Sequence, residues 1–421
     1  MKAKKLDFRT LYIISAVEMI VFFILITLRG TEAGDTVTYF TAWDTLLSGI
    51  PDSLRTPLYP VFVGSLRAVF GVTAGRIAVC LIQCALFLCS IRWFAKLAEA
   101  LTGNRTVTFW ATAVYAVYPG PLTLNCMLLT ESLALSGTTG LLWLTYKAFT
   151  RNDTKAAVGA AVVTCALVLL RPALIFIPLL FGLFWLIALI ARKSTLRTAA
   201  ISLSGCVVAL AILGGYCLAM KSTYGISSPS SVSAINNYFT IREAGIIDSQ
   251  QIGNPRMRQI VDSILAARPL PGTLGDTWAE VDAISANANP AEMAEFTTGA
   301  ISAHPVETVR YLMTVRLPEA VGDDAVYGGS VLAPVRALTK LIGVNIGGTL
   351  ALLLVFVVIL LRNRSFEPVK WLVAALFTAT VATAVLGAQG EWQRLIVPAY
   401  PALLVMASCT LMHAAKVIYA K

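Results

Sequence analysis

Apolar runs long enough to cross a bilayer recur from one end of the chain to the other, and that recurrence restricts the fold to a set of membrane helices. A crossing helix needs roughly 20 mostly apolar residues. About ten candidate runs are present, near residues 11–29, 76–95, 106–121, 127–146, 156–171, 172–191, 198–219, 340–361, 369–388 and 394–413. The third is short, and the fifth meets the sixth at Arg171-Pro172. With 57% apolar residues, 13% charged residues and a mean hydropathy of +0.75, a water-soluble globule of 421 residues is excluded. The expected fold is an all-α polytopic membrane protein. It has about ten transmembrane helices, amphipathic helices in the first outer loop and a small helical extracytoplasmic domain.

Orientation follows from the basic residues, because Lys and Arg near span ends stay cytoplasmic far more often than they cross. With Lys2, Lys4, Lys5 and Arg9 inside, alternate connections carry Arg92/Lys96/Arg105, Lys147/Arg151/Lys155, Arg192/Lys193/Arg197, Arg362/Arg364/Lys370 and Lys416/Lys421. That places 18 of the 33 basic residues on one side, opposed only by Asp7, Glu99, Asp153 and Glu367. Both termini are then expected in the cytoplasm of a cell with the protein in its plasma (inner) membrane. The chain divides into an N-terminal transmembrane module (1–221) whose first outer loop covers 30–75, an outer segment (222–338), and C-terminal transmembrane helices (339–421).

The net charge of +10 is topological rather than a nucleic-acid footprint. Residues 222–338 carry seven basic and twelve acidic side chains, so that segment is −5 and the remainder +15. Anionic membrane lipids on the inner face account for the excess, and no basic-aromatic patch of the nucleic-acid kind is present, so nucleic acid is not an expected partner. The outer segment reads as a compact helical cap. It begins with Tyr224-Gly225 and a Ser/Pro run (227–231), shows helical periods near 256–267, 290–303 and 305–318, and is broken at Pro269, Pro271 and Gly272. Val306, Val309, Leu312, Met313 and Leu317 form an apolar stripe suited to lying on the outer leaflet. All eight cysteines fall within or beside spans with no C-x-x-C pair, which predicts neither a disulfide framework nor a thiolate metal site. Residues 11–28 exceed the apolar region of a cleavable signal, and the first span is expected to remain attached even though Thr31-Glu32-Ala33 is weakly cleavage-like.

Ionisable residues at the outer ends of spans are expensive unless paired or functional. One group is Asp35, with Tyr39, Trp43 and Asp44, followed by Arg55-Thr56-Pro57-Leu58-Tyr59-Pro60; the others are Glu131, Arg171-Pro172 and Glu391-Trp392-Gln393-Arg394. All are expected at one outer level. Glu18 lies deeper and is left out of the site. His304 and His413 are isolated, so a His-based metal or base site is not expected.

The order of these pieces carries a resemblance. Gly34-Asp35 follows the first span, Arg55-Thr56-Pro57-Leu58-Tyr59-Pro60 leads into the next apolar stretch, Leu128-Leu129-Thr130-Glu131 opens the fourth span, and Arg394 precedes Pro398 and Pro401. This resembles the membrane glycosyltransferases of the C superfamily, in the branch of the protein O-mannosyltransferases and the lipid A aminoarabinose transferase. It covers most of the membrane part, about 300 residues. It implies sugar transfer on the outer face, from a polyprenyl-phosphate-linked sugar lipid to an acceptor glycan, lipid or protein.

Under that resemblance Asp35 occupies the family's base position and takes the acceptor's proton. Glu131 holds the acceptor or orients Asp35. Arg55, Arg171 and Arg394 contact the donor phosphate, a task for which guanidinium forks are suited. Tyr59, Asp44 and Glu391 line the substrate or lipid cavity. Plainer readings stand beside these: Asp35 as the cap of a helix starting near Thr36, Glu131 as a favoured first-turn acid, the arginines as snorkelling anchors, and Pro57 and Pro60 as a helix start and bend. Some relatives with diphosphate donors bind a divalent metal, and Asp35, Asp44 and Glu131 offer oxygen ligands. No D-x-D cluster lies near Asp35, however, and no cofactor or metal is expected to be required. The alternative functions are a lipid-linked saccharide polymerase, ligase or flippase, and a membrane scaffold.

Overall fold

The computed structural model describes residues 7–29, 35–268, 274–324, 337, 345–363 and 367–419. Gly34, the signal-like Thr31-Glu32-Ala33, the breaks at Pro269, Pro271 and Gly272, the start of the 340–361 run, and Lys2, Lys4, Lys5, Arg364 and Lys421 lie outside the described residues. Among the described residues no strand forms, and an isolated bridge joins Asp324 to Asn345.

In chain order the helices are α1 (Phe8–Arg29), α2 (Asp35–Leu47), α3 (Leu58–Thr102), α4 (Arg105–Val117), α5 (Pro119–Asn125), α6 (Thr130–Arg151), α7 (Thr154–Leu170), α8 (Ile177–Ile190) and α9 (Leu196–Tyr224). The 222–338 segment contributes α10 (Val232–Ala244), α11 (Pro255–Ala267), α12 (Leu274–Ser285), α13 (Pro290–Ala303), α14 (Pro305–Tyr311), a π-turn over Leu312–Arg316, and α15 (Leu317–Gly322). The chain closes with α16 (Ile346–Arg362), α17 (Pro368–Gly387), α18 (Trp392–Leu395) and α19 (Tyr400–Tyr419).

Among the described residues, six segments are long and apolar enough to cross a membrane: Phe8–Thr27, Leu58–Thr102, Pro172–Ile190, Leu196–Tyr224, Pro368–Gly387 and Val397–Ile418. Helices α7 and α16 are apolar but shorter, at 17 residues each. The other two expected runs take different forms. The run near 106–121 is divided between α4 and α5 by extended backbone at Tyr118. The run near 127–146 becomes the 22-residue α6, which is rich in Ser, Thr and Gly. Most of α6 is buried, packed between α3 and α7. A helix enclosed by protein can keep small and hydroxylated residues, because close backbone approach replaces contact with lipid.

Helix α3 begins just after Pro57, where proline's fixed φ suits a helix start. The expected bend does not fall at Pro57–Pro60. It falls at Gly71, whose φ of 79° and ψ of 177° break the helix sharply. Helices α10–α13 bury a core of their own around Tyr238, Phe239, Met257, Val261, Ile284 and Phe296. Leu54, from the loop between α2 and α3, packs against that core. Beside it, Arg242 is fully buried and donates twice to Glu280, Nε to Oε2 at 2.9 Å and Nη2 to Oε1 at 3.0 Å. Helices α11, α13 and α14 coincide with the expected helical periods. Of the stripe on the 305–318 stretch, Val306, Val309 and Met313 are exposed, whereas Leu317 packs onto the core of the membrane-type helices.

Candidate functional site

Asp35 is the first residue of α2, and both of its carboxylate oxygens are engaged. Oδ1 accepts from Arg55 Nη2 at 2.6 Å, and Oδ2 accepts from Arg394 Nη2 at 3.0 Å. Its carboxylate therefore serves two guanidiniums rather than acting simply as a helix cap. Burial raises the Asp35 pKa, but Arg55 and then Arg394 outweigh it and hold the carboxyl below its ordinary value.

Arg55 sits in the loop between α2 and α3, which Asp52 shapes by accepting from the backbone N–H groups of Leu54 and Arg55 at 2.9 and 2.7 Å. Its Nε donates to Thr38 Oγ1 at 2.8 Å, and its guanidinium lies 4.8 Å from the centre of the Tyr39 ring. Asp35, Thr38 and Tyr39 occupy i, i+3 and i+4 of one helix, so a single face of α2 fixes Arg55 through charge, hydrogen bond and ring.

Glu131 opens α6 and is almost wholly enclosed, its side chain 2% exposed. Its Oε1 lies 3.1 Å from Arg394 Nε and 3.3 Å from Arg171 Nη1. Arg171 is held extended ahead of Pro172, as a residue before proline prefers. Arg394 lies on α18 behind a turn in which Gly390 and Glu391 both have positive φ, 83° and 51°. Left-handed backbone at a non-glycine is strained, and here it delivers Arg394 to both acids. Glu391 Oε2 also contacts Arg394 Nη2 at 3.1 Å, but its side chain is 67% exposed.

Asp35, Arg55, Arg394, Glu131 and Arg171 thus form one connected set of ion pairs. Three guanidiniums meet three carboxylates, so the set as a whole is neutral; Glu131 is enclosed, Asp35 is 27% exposed and Glu391, at the rim, is 67% exposed, which leaves three arginines to two acids in the less exposed part. Arg394 Nε and Arg171 Nη1 lie at ion-pair distance from Glu131 yet make no hydrogen bond among the described residues. Both face the Glu131 carboxylate off the hydrogen-bond direction, so the two forks are not fully used by the acids around them, which suits a further anion.

The remaining candidates are placed differently. Glu131 reaches Arg394 and Arg171, and links to Asp35 through Arg394. Tyr59 is fully buried, donates to Gln83 Oε1 at 2.9 Å and meets Tyr39 edge-on, so it braces the wall behind the cluster and lines no open cavity. Asp44 is nine residues beyond Asp35 on α2, which at 1.5 Å per residue is about 13 Å along the axis. With Asp44 remote and the other two acids on arginines, Asp35, Asp44 and Glu131 do not assemble as cation ligands. Among the described residues no group of three or more His, Cys, Asp or Glu side chains is placed to hold a metal ion.

Two sets of supporting residues escaped the sequence reading. Gln83, the lone amide in an apolar stretch of α3, ties Tyr59 to the backbone carbonyls of Asn125 and Met127 at 3.0 and 2.8 Å. The second set belongs to α9 and the outer segment. Tyr224 donates to Pro51 O at 2.8 Å, Ser231 to Ser53 O at 2.9 Å and Ser230 to Leu54 O at 2.6 Å, all on the Arg55 loop. Farther along α10, Asn236 donates to Gly387 O, and Glu243 accepts from Tyr311 and, at 2.6 Å, from Gln389 on the Arg394 side. The segment from Tyr224 through α10 therefore touches both arginine-bearing loops. The Ser/Pro run was visible in the sequence, but its partners were not.

No protein-family model matches the chain, and no curated protein matches it.

Proposed function

We propose that the protein is an integral-membrane glycosyltransferase that moves a sugar from a polyprenyl-phosphate-linked donor to an acceptor glycan, lipid or protein on the extracytoplasmic face. In this reading about ten helices cross the plasma (inner) membrane, both termini are cytoplasmic, and α10–α15 form an outer domain over the site. The observation that carries it is the double engagement of Asp35 by Arg55 and Arg394 within a cluster that gathers three guanidiniums.

The chemistry follows from those contacts. As the acceptor oxygen or nitrogen bonds to the anomeric carbon, the bond from that carbon to the phosphate oxygen breaks and its electrons remain on the phosphate. Arg55 and Arg394 hold the growing phosphate charge, with Arg171 behind them. An arginine turned toward phosphate pulls less on Asp35, whose basicity then rises, and Asp35 Oδ takes the acceptor's proton. Glu131 keeps Arg394 and Arg171 from dispersing while the phosphate is absent.

The test uses the full chain in lipid nanodiscs with synthetic polyprenyl-phosphate hexoses and an envelope extract as acceptor source. Wild type is expected to release polyprenyl phosphate and label the acceptor. Asp35→Asn is expected to retain the donor lipid and lose transfer. Full transfer by Asp35→Asn contradicts the mechanism, and lipid translocation without sugar transfer by the wild type points to a flippase instead.

A further inference from the structure

The first outer loop ends in an elbow that the site chemistry does not use. At Gly71 the chain turns so sharply that a Cβ on Gly75 would lie 2.8 Å from the Cα of Arg67, so the two arms of α3 meet backbone to backbone. The residues between them, Ala68–Ala74, are all exposed. At this tip Val69 is 72% exposed, Phe70 55% and Val72 63%. On the first arm, Arg67 stacks its guanidinium 4.7 Å above the Phe40 ring of α2.

We propose that this elbow is a membrane anchor, with Val69, Phe70 and Val72 seated at the boundary between headgroups and acyl chains of the outer leaflet. The inference rests on the membrane reading given under Proposed function. Helix length sets the depth of the tip. Arg92 is the first basic residue at the inner end of α3, and Val72 precedes it by 20 residues. At 1.5 Å per residue that is about 30 Å, the thickness of a bilayer's hydrocarbon core. With Arg92 at the inner boundary, Val72 falls at the outer one. Arg76 is the one charged residue between them and lies about one turn from the outer boundary, within reach of headgroup phosphates. An apolar tip at that depth meets lipid, so no protein partner is needed to cover it. The anchor holds the α2–α3 pair, and with it Asp35 and Arg55, at the level of a lipid phosphate.

An environment-sensitive fluorescent amino acid at position 70 of the full chain in phospholipid nanodiscs tests this. Position 69 serves as a second tip sample, position 81 as a mid-span control (Leu81 is 65% exposed) and position 282 as an aqueous control on α12. The expected result is a blue-shifted emission at 70 and 69, quenched by nitroxide lipids labelled near the headgroup and resistant to iodide. Position 81 is expected to be quenched by deep nitroxides, and position 282 by iodide. Iodide quenching at the tip with lipid quenching at 81 overturns the anchor alone. Protection of the tip from both quenchers means that protein covers it, and also overturns the anchor. Iodide quenching at 81 overturns the membrane reading itself.

Discussion

Asp35 and Arg394, 359 residues apart in sequence, meet at 3.0 Å, and this contact joins the start of α2 to the turn between α17 and α19. Arg394 is also the sole link between Asp35 and Glu131 among the ion pairs of the described residues. Its removal therefore does more than delete one salt bridge. It leaves an enclosed Glu131 with Arg171 alone and Asp35 with Arg55 alone.

Arg394→Ala is expected to destabilise the detergent-solubilised protein by roughly 3 kcal/mol, the scale for stranding an enclosed charge. Arg394→Lys keeps the charge but loses the fork that serves two acids, and is expected to fall between. Thermal unfolding of the three proteins checks the order. Equal midpoints for Arg394→Ala and wild type contradict it.

Acid should weaken the clamp. Asp35 has its folded pKa depressed, so its contribution is complete above the unfolded value of about 3.9 and disappears as pH falls through the lower folded value. Thermal midpoints measured from pH 6 downward should drop more steeply below about pH 4 in wild type than in Asp35→Asn. Parallel curves would show that Asp35 is not held by its arginines.

The turn that leads into α10 should govern the Arg55 loop. Ser230→Ala and Ser231→Ala each remove a part-buried hydrogen bond to that loop, on the order of 1 kcal/mol apiece. The double variant is expected to speed amide hydrogen exchange over 51–56 while exchange in α6 is unchanged. Unaltered exchange in 51–56 rejects the clasp.

The outer helices depend on a different pair. Glu280→Ala strands the fully buried Arg242 and is expected to cost about 3–5 kcal/mol. Limited proteolysis should then cut within α10–α13 and spare the membrane-type helices. Resistance equal to wild type contradicts this.

How much of this was legible depended on what each residue touches. Hydropathy marks surfaces that meet lipid, so the runs in α1, α3, α8, α9, α17 and α19 stood out. It marked α6 too, near 127–146, but not that this helix is enclosed by protein and keeps Thr130, Ser132, Ser136, Thr138 and Thr139 inside. The acids and arginines of the site drew notice as charges beside apolar runs. Their pairing did not, because helix rotation decides that Glu131 meets Arg394 and Arg171 instead of Asp35. Rotation likewise points Tyr59 inward and leaves Asp44 two and a half turns from the cluster. Proline drew attention to the start of α3, whereas the bend belongs to Gly71. Long-range contacts such as Glu243 with Gln389 leave no local pattern at all.

The most direct test of the central claim is a cryo-EM map of the full chain in nanodiscs with polyprenyl phosphate bound. The lipid phosphate is expected within hydrogen-bond distance of Arg55 and Arg394, with Asp35 released from at least one of them. A lipid phosphate seated elsewhere, with both Asp35 ion pairs intact, would contradict it.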